Sequence, residues 1–156
     1  MPFKSTKTYG HEQGLSCAFR QWRANTSHCH LVHGYALSFK FVFSASALDE
    51  RGWVMDFGGL KLLKKRLTET FDHVLAVAAD DPELQTFLDM HNKDMANVVV
   101  FPEGVGVERF AKKAYDMACN VLMQQGYVGM YPRVWVESCE CAEHGANSAI
   151  FSMETV

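Results

Sequence analysis

The chain has 156 residues, of which 48% are hydrophobic and 21% are charged, and its formal net charge at pH 7 is -3. This length predicts one domain, residues 1–156, with a full core, and the acidic balance argues against non-specific binding to nucleic acid. No apolar run reaches the length of a membrane span, and the first residues lack the core of a signal peptide. The five cysteines are an odd number, and Cys139 and Cys141 stand too close together for an ordinary disulfide, so we expect reduced thiols in the cytoplasm.

The first half of the chain contains two segments with the alternation of a β-strand. In Gly14–Trp22, one side carries Leu15, Cys17 and Phe19, while the other side carries smaller or polar residues. From residue 35 to residue 44, apolar and polar side chains alternate again. The two segments are expected to pair as an antiparallel hairpin with one packed face.

Helical spacing appears in the middle of the chain. Leucines and a phenylalanine predict a helix over residues 60–71, with Asp56 as a cap before it. A second long helix is predicted over Val107–Gln125, and Gly126 is its expected stop. The remaining predicted elements are a short helix after Asp80-Asp81-Pro82 and strands over Asn97–Phe101, Arg133–Cys141 and Asn147–Met153. This order predicts an α+β fold, an antiparallel sheet with helices on one face.

The most unusual stretch is Ser27–Leu37, which places three histidines and a cysteine in the six residues from His28 to His33. Imidazole and thiolate are common zinc ligands, and a histidine beside a cysteine can also activate the thiol as a nucleophile. A polar loop with scattered histidines is the alternative interpretation. The motifs downstream favour a site, and they are Asp56-Phe57, Asp72-His73 and Glu143.

Together with Cys29-His30-Leu31-Val32-His33-Gly34-Tyr35, these motifs resemble the 6-pyruvoyltetrahydropterin / 6-carboxytetrahydropterin synthase family. Its pattern is Cys-x-x-x-His-Gly-His, then Asp-Phe, Asp-His and a late Glu. The resemblance runs from about Leu15 to Phe151 and departs from the pattern at Tyr35, where the family has histidine. It implies the tunnelling fold, in which an antiparallel four-stranded sheet carries two long helices on one face. It also implies a homo-oligomer, a hexamer in the family, whose sheets pair edge to edge into a barrel with active sites between subunits.

By this resemblance, Cys29 is the catalytic cysteine and Asp72 with His73 is the acid–base pair. A carboxylate bound to one ring nitrogen fixes the tautomer of a histidine and leaves the other nitrogen able to move protons. The alternatives are a cysteine that only packs and a histidine favoured at a helix end by the helix dipole.

The pterin-binding residue implied by the resemblance is Glu143, which stands eight residues before Phe151 as the family's glutamate does. A buried carboxylate can accept two hydrogen bonds from a pterin. Glu137 is the rival candidate. Arg20 and Arg23, with Lys40 as a third candidate, lie near the His-rich stretch and are candidates for contacts with phosphate.

The resemblance further implies zinc, bound in the family by one histidine on the first strand and the two of His-Gly-His. Of these only His33 is retained, since the first-strand position falls on Phe19 in one register and on Cys17 in another. Catalytic zinc accepts mixed Cys/His sets, with three protein ligands and one open position. We therefore expect zinc held by Cys17, His28 and His33, with His30 as the alternative to His28. A family member that binds no metal is the other hypothesis.

The resemblance thus predicts a zinc-dependent carbon–oxygen lyase of the 6-carboxytetrahydropterin synthase type. Its substrate would be 7,8-dihydroneopterin triphosphate, on the route to queuosine and other deazaguanines. Zinc would polarise the side-chain hydroxyls of the substrate while Cys29 and His73 move protons. The first alternative is a 6-pyruvoyltetrahydropterin synthase, and the second is a pterin-binding protein without metal or catalysis.

Overall fold

The computed structural model describes residues 1–127 and 132–154. The strands are β1 (Phe3–Tyr9), β2 (Leu15–Phe19), β3 (His33–Ala45), β4 (Val74–Ala78), β5 (Val98–Phe101), β6 (Val134–His144) and β7 (Asn147–Ser152). The helices are α1 (Lys61–Phe71), α2 (Leu84–Asn92) and α3 (Val107–Gln124). Short 3-10 turns occur at His11–Gln13, His28–His30 and Phe57–Leu60.

Within the described residues, the strands form one seven-stranded sheet in the order β5-β4-β2-β3-β6-β7, with β1 also paired to β3. The prediction of an antiparallel four-stranded sheet is therefore wrong in number and in direction, because β4 runs parallel to both β2 and β5. The predicted antiparallel pairing of β2 with β3 is confirmed, with Cys17 opposite Tyr35 and Phe19 opposite His33. The α+β class is confirmed as well, whereas the edge-to-edge barrel stays a prediction.

Strand β4 was not among the predicted elements. Its five residues, Val-Leu-Ala-Val-Ala, are all buried between neighbouring strands and helices. A strand covered on both faces has no alternation of apolar and polar residues, so the period that identifies the other strands is absent here. A short apolar run directly after a helix was the only signal.

Two predicted helix boundaries and the end of β6 can be compared with the structure. The Asp56 side chain accepts a hydrogen bond of 2.8 Å from the Gly58 amide, which confirms it as a cap. Gly126 follows α3 with a φ of +79°, which confirms the predicted stop. β6 continues to His144, so that Glu143 lies inside a strand. None of the described helices is long and apolar enough to cross a membrane.

A cluster of phenylalanine rings joins the helices to the sheet. The ring centroid of Phe71 in α1 lies 4.7 Å from that of Phe39, 5.3 Å from that of Phe110 and 5.9 Å from that of Phe101. Each of these side chains is 4% exposed or less. Phe71 therefore links α1, α3, β3 and β5.

We expect Phe71→Ala to lower the free energy of unfolding by about 3–5 kcal/mol, because it leaves a cavity among three rings. Urea unfolding followed by circular dichroism measures the change. Phe57→Ala is the control, since the Phe57 side chain is 40% exposed, and we expect it to change stability by less than about 0.5 kcal/mol. Equal losses in the two variants would contradict this description of the core.

Candidate active site

Three ring side chains from β2 and β3 meet on one face of the sheet. The ring centroids of Phe19, His33 and Tyr35 form a triangle with sides of 5.1 Å (Phe19 to His33), 5.4 Å (His33 to Tyr35) and 6.2 Å (Phe19 to Tyr35). The strand register explains it, because Phe19 stands opposite His33 and Tyr35 is the next residue of β3 on the same face. Phe110 of α3 packs edge-on against Phe19 at 5.1 Å. We call Phe19, His33 and Tyr35 the ring triangle.

Gly34 allows the two strands to approach each other at the ring triangle. A Cβ atom at this position would lie 3.0 Å from the carbonyl oxygen of Cys17 and 3.5 Å from the Cα atom of Ala18. Both neighbours are backbone atoms and can move only if the strand moves. A larger residue at position 34 would therefore push β2 away from β3.

Cys29 lies in the middle of the 3-10 turn His28–His30. The Ser27 hydroxyl accepts a hydrogen bond of 3.2 Å from the Cys29 amide. The Cys29 carbonyl accepts one of 2.8 Å from the amide of Gln21, just beyond the end of β2. These two bonds fix the backbone of Cys29, whose thiol is half-buried.

Tyr35 is the residue around which the other candidates gather. Burial raises the pKa of its phenol, and Glu143 and Cys29 raise it further, which places both groups within electrostatic reach of Tyr35. The ring of His144, next to Glu143 in β6, lies 6.1 Å from that of Tyr35. The predicted pterin-binding glutamate and the predicted catalytic cysteine thus both lie within electrostatic range of one phenol.

Asp72 and His73 form the predicted carboxylate–imidazole pair at the end of α1. The Asp72 carboxylate accepts hydrogen bonds from the Ser16 amide at 3.1 Å and from Nδ1 of His73 at 2.9 Å. Burial alone would raise the pKa of Asp72, but these hydrogen bonds outweigh it and the pKa is lowered. The ionised carboxylate holds the proton of His73 on Nδ1 and leaves Nε2 able to accept one.

The backbone of His73 adopts an uncommon conformation. Its φ is +53°, in the left-handed region that non-glycine residues rarely occupy, and its side chain is 85% exposed. Such a conformation costs on the order of 1 kcal/mol or more. It directs an accessible imidazole away from the core while Asp72 stays anchored to β2.

Cys29 and the Asp72–His73 pair lie at opposite ends of β2 in one chain. Asp72 is bound at Ser16, near the start of β2, whereas Cys29 is bound at Gln21, beyond its end. The extended chain between these anchor points spans roughly 15 Å. An acid or base must come within hydrogen-bond distance of the atom that it serves. Within one chain, the two groups therefore face separate places.

The structure does not gather the three predicted zinc ligands. Cys17 is 1% exposed, and burial raises the pKa of its thiol to about 12, which favours the neutral form that binds metals poorly. His28 is exposed on the 3-10 turn, and its alternative His30 hydrogen-bonds through Nδ1 to the Ser27 carbonyl. His33 donates from Nδ1 to the Leu31 carbonyl at 2.7 Å, so only its Nε2 is available.

The donor set does not fit a three-ligand zinc site. Among residues 1–127 and 132–154, no three histidine, cysteine, aspartate or glutamate side chains are grouped so that they could hold a metal ion. At the ring triangle, where a histidine trio would fit, Phe19 has no donor atom and Tyr35 offers a phenol. The ring triangle therefore offers a metal ion a single imidazole, that of His33.

The rival glutamate, Glu137, has a structural role. Its carboxylate pairs with the ammonium group of Lys4 at 2.5 Å and accepts a hydrogen bond from the Ser44 hydroxyl. These contacts connect β1, β3 and β6 where the register of β3 and β6 shifts. The pterin-binding prediction therefore stays with Glu143.

A pocket of about 310 Å³ lies beside the Cys29 turn and includes Gln21 in its lining. Its basic lining residues are Arg20, Arg23 and Arg109. Two of these already pair with carboxylates, Arg20 with Asp81 at 2.5 Å and Arg23 with Asp80 at 2.8 Å. The arginines predicted to bind phosphate thus line a pocket near Cys29, in which much of their charge is balanced.

Comparison with known proteins agrees with these observations. A family model described as 6-pyruvoyl tetrahydropterin synthase matches residues 9–152. The 6-carboxy-5,6,7,8-tetrahydropterin synthase of Rickettsia conorii is 39% identical over 57 residues, which cover 36% of this chain and 41% of that protein. The enzyme of the same name from Rickettsia bellii is 34% identical over 64 residues, 40% of this chain and 46% of that protein. The matched segments span less than half the length of these relatives.

Solved structures share the fold over nearly the whole chain. A crystal structure of a Wolinella succinogenes protein has a TM-score of 0.80 at 18% identity and covers 99% of both chains. A variant of the Plasmodium vivax 6-pyruvoyltetrahydropterin synthase has a TM-score of 0.71 at 12% identity, again over 99% of both chains. At these identities, the likeness establishes the fold alone.

Proposed function

Because the chain belongs to the 6-pyruvoyl tetrahydropterin synthase family, we propose that it is a lyase of the 6-carboxytetrahydropterin synthase type. Its substrate is 7,8-dihydroneopterin triphosphate, and its product leads to queuosine and related deazaguanines. The observation that supports this proposal is that Cys29 and Glu143 both lie within electrostatic range of the Tyr35 phenol. The names of the curated relatives support the carboxy-type product.

Each residue has a defined task in this proposal. Glu143 accepts hydrogen bonds from the 2-amino group and a ring N–H of the pterin, which fixes the orientation of the ring. Cys29 and His73 move protons on the side chain of the pterin as the triphosphate leaves, and Asp72 holds His73 in the required tautomer. The arginine pocket beside Cys29 is the candidate site for the phosphates.

The complete active site is proposed to form between two copies of the chain in a homo-oligomer, which is a hexamer in the family. The roughly 15 Å of extended chain between the anchor points of Cys29 and Asp72 supports this arrangement. A neighbouring copy would bring its own Asp72 and exposed His73 to the site that holds Cys29, Tyr35 and Glu143.

Product analysis tests the proposal. The full chain is incubated with 7,8-dihydroneopterin triphosphate, and triphosphate release and the mass of the pterin product are followed. We expect triphosphate release, loss of a two-carbon unit from the pterin side chain and formation of 6-carboxytetrahydropterin, at a rate about 100- to 10,000-fold lower in Cys29→Ala. Cys119→Ala is the matched control, because Cys119 lies on α3 away from the Cys29 turn. A 6-pyruvoyl product would support the first alternative instead.

A pterin-binding protein without catalysis is the second candidate function. The ring triangle favours it, since two of the three positions that the resemblance assigns to zinc-binding histidines hold Phe19 and Tyr35. Tight binding of the substrate without any release of triphosphate would establish this second function and reject the first.

A further inference from the structure

The three positions of the ring triangle could hold three histidines around one ion, but in this chain two of them hold other side chains. Phe19 and His33 are directly paired across β2 and β3, and Tyr35 follows two residues after His33 on the same face of the sheet. Imidazoles at all three corners could point ring nitrogens at one ion, at the Zn–N distance of about 2.0–2.1 Å. In this chain, only His33 supplies such a nitrogen, and its Nδ1 is already bonded to the Leu31 carbonyl.

The other two corners have acquired separate properties. Phe19 is fully buried and packs edge-on against Phe110, so it closes the floor of the site with hydrocarbon. Tyr35 is half-buried, its ring packs against those of His33 and His144, and Cys29 and Glu143 lie within electrostatic range of its hydroxyl group. A phenol is a hydrogen-bond donor that can contact an oxygen atom of a ligand without any ion.

We propose that this site works without a metal and that the Tyr35 hydroxyl contacts the side-chain oxygen of the bound pterin directly. The inference rests on the proposed function insofar as it places a pterin in the site. Phe19 excludes water beneath the ligand, and His33 is held in place by the Leu31 carbonyl. Glu143 anchors the far edge of the pterin ring, so that Tyr35 and Cys29 face its side chain.

Metal content is the first test. Wild type is incubated with excess zinc and desalted, and its metal is measured by mass spectrometry. We expect far less than one zinc per chain. Phe19→His combined with Tyr35→His should bind about one zinc per chain, because three imidazoles then occupy the triangle. Tyr35→His alone leaves the buried Phe19 in place and replaces the double variant in this test if the double variant does not fold. It should bind zinc more tightly than wild type.

One zinc per wild-type chain, lost in His33→Ala, would overturn the proposal. This measurement does not depend on catalysis or on the identity of the substrate. It therefore separates a failure of this inference from a failure of the proposed function.

Pterin affinity in the presence of EDTA is the second test. Fluorescence titrations compare neopterin, whose side chain carries hydroxyls, with 6-methylpterin, whose side chain has none. We expect EDTA to leave the affinity of wild type unchanged and Tyr35→Phe to weaken neopterin binding about three- to tenfold, the value of one hydrogen bond. Binding of 6-methylpterin should not change.

The matched control is Tyr9→Phe, because the Tyr9 hydroxyl donates to the Leu60 carbonyl in the core. This variant should bind both pterins as wild type does. Equal weakening of both pterins by Tyr35→Phe, or no weakening of either, would reject the role of the hydroxyl. If wild type binds neither pterin, the proposed function fails and the role of Tyr35 fails with it, while the zinc content still decides whether the site is metal-free.

Discussion

Mixing two inactive variants, Cys29→Ala and His73→Ala, is expected to restore turnover. Each variant alone should lose about 100- to 10,000-fold in rate, because each lacks one of the two proposed proton-transfer groups. In a mixed oligomer, a His73→Ala subunit still provides Cys29, and a Cys29→Ala neighbour still provides His73. If subunits assemble at random, roughly one site in four regains both groups. The measurement is triphosphate release after the variants are unfolded and refolded together.

The control for this experiment is the double variant Cys29→Ala/His73→Ala refolded with wild type. Its triphosphate release should come only from active sites in which wild-type subunits provide both Cys29 and His73. Mass spectrometry of intact oligomers confirms that the subunits have mixed. A mixture that contains both single variants in one oligomer but remains inactive would show that the two residues do not share a site between subunits.

Glu143→Ala should produce the largest loss of pterin affinity. Truncating one partner of a buried, charged hydrogen-bonding pair costs about 2–5 kcal/mol, which corresponds to roughly a 30-fold to several-thousand-fold weaker complex. Isothermal titration with neopterin measures the change. The effect should be similar for 6-methylpterin, because the proposed hydrogen bonds of the carboxylate are with the pterin ring and not with its side chain.

Two other glutamates of β6 provide controls. Glu140 accepts a hydrogen bond of 2.7 Å from Ser148, so Glu140→Ala should leave pterin affinity unchanged. Glu137→Ala should lower the stability of the fold, since it frees Lys4 and Ser44, but it should also leave the affinity unchanged. A larger loss of affinity in Glu137→Ala than in Glu143→Ala would show that Glu143 is not the pterin-binding residue.

The sequence predicts best where a single pattern decides the structure. Strands with one covered face, such as β2 and β3, show alternation, and the helices show their periodicity and their caps. β4 shows neither pattern because it is covered on both sides, and its parallel pairing depends on residues far away in the chain. The full sheet therefore could not be derived from local sequence.

At the candidate site, the sequence identifies the participants but leaves their arrangement open. Cys17 and Phe19 are equally acceptable first-strand positions until the strand register places Phe19 opposite His33. That register depends on the close approach at Gly34, a contact between strands that no spacing reveals. The separation of Cys29 from His73 likewise follows from hydrogen bonds of both segments to β2.

At His73, the left-handed backbone favours a different residue from the one that the proposed proton transfer requires. Glycine adopts this conformation without steric penalty, so His73→Gly would relax the chain at the end of α1. It would also remove the imidazole that Asp72 orients. A selection for heat resistance alone would therefore favour a substitution that removes the proposed proton-transfer group, and thermostable variants obtained in this way need an assay of the reaction at every round.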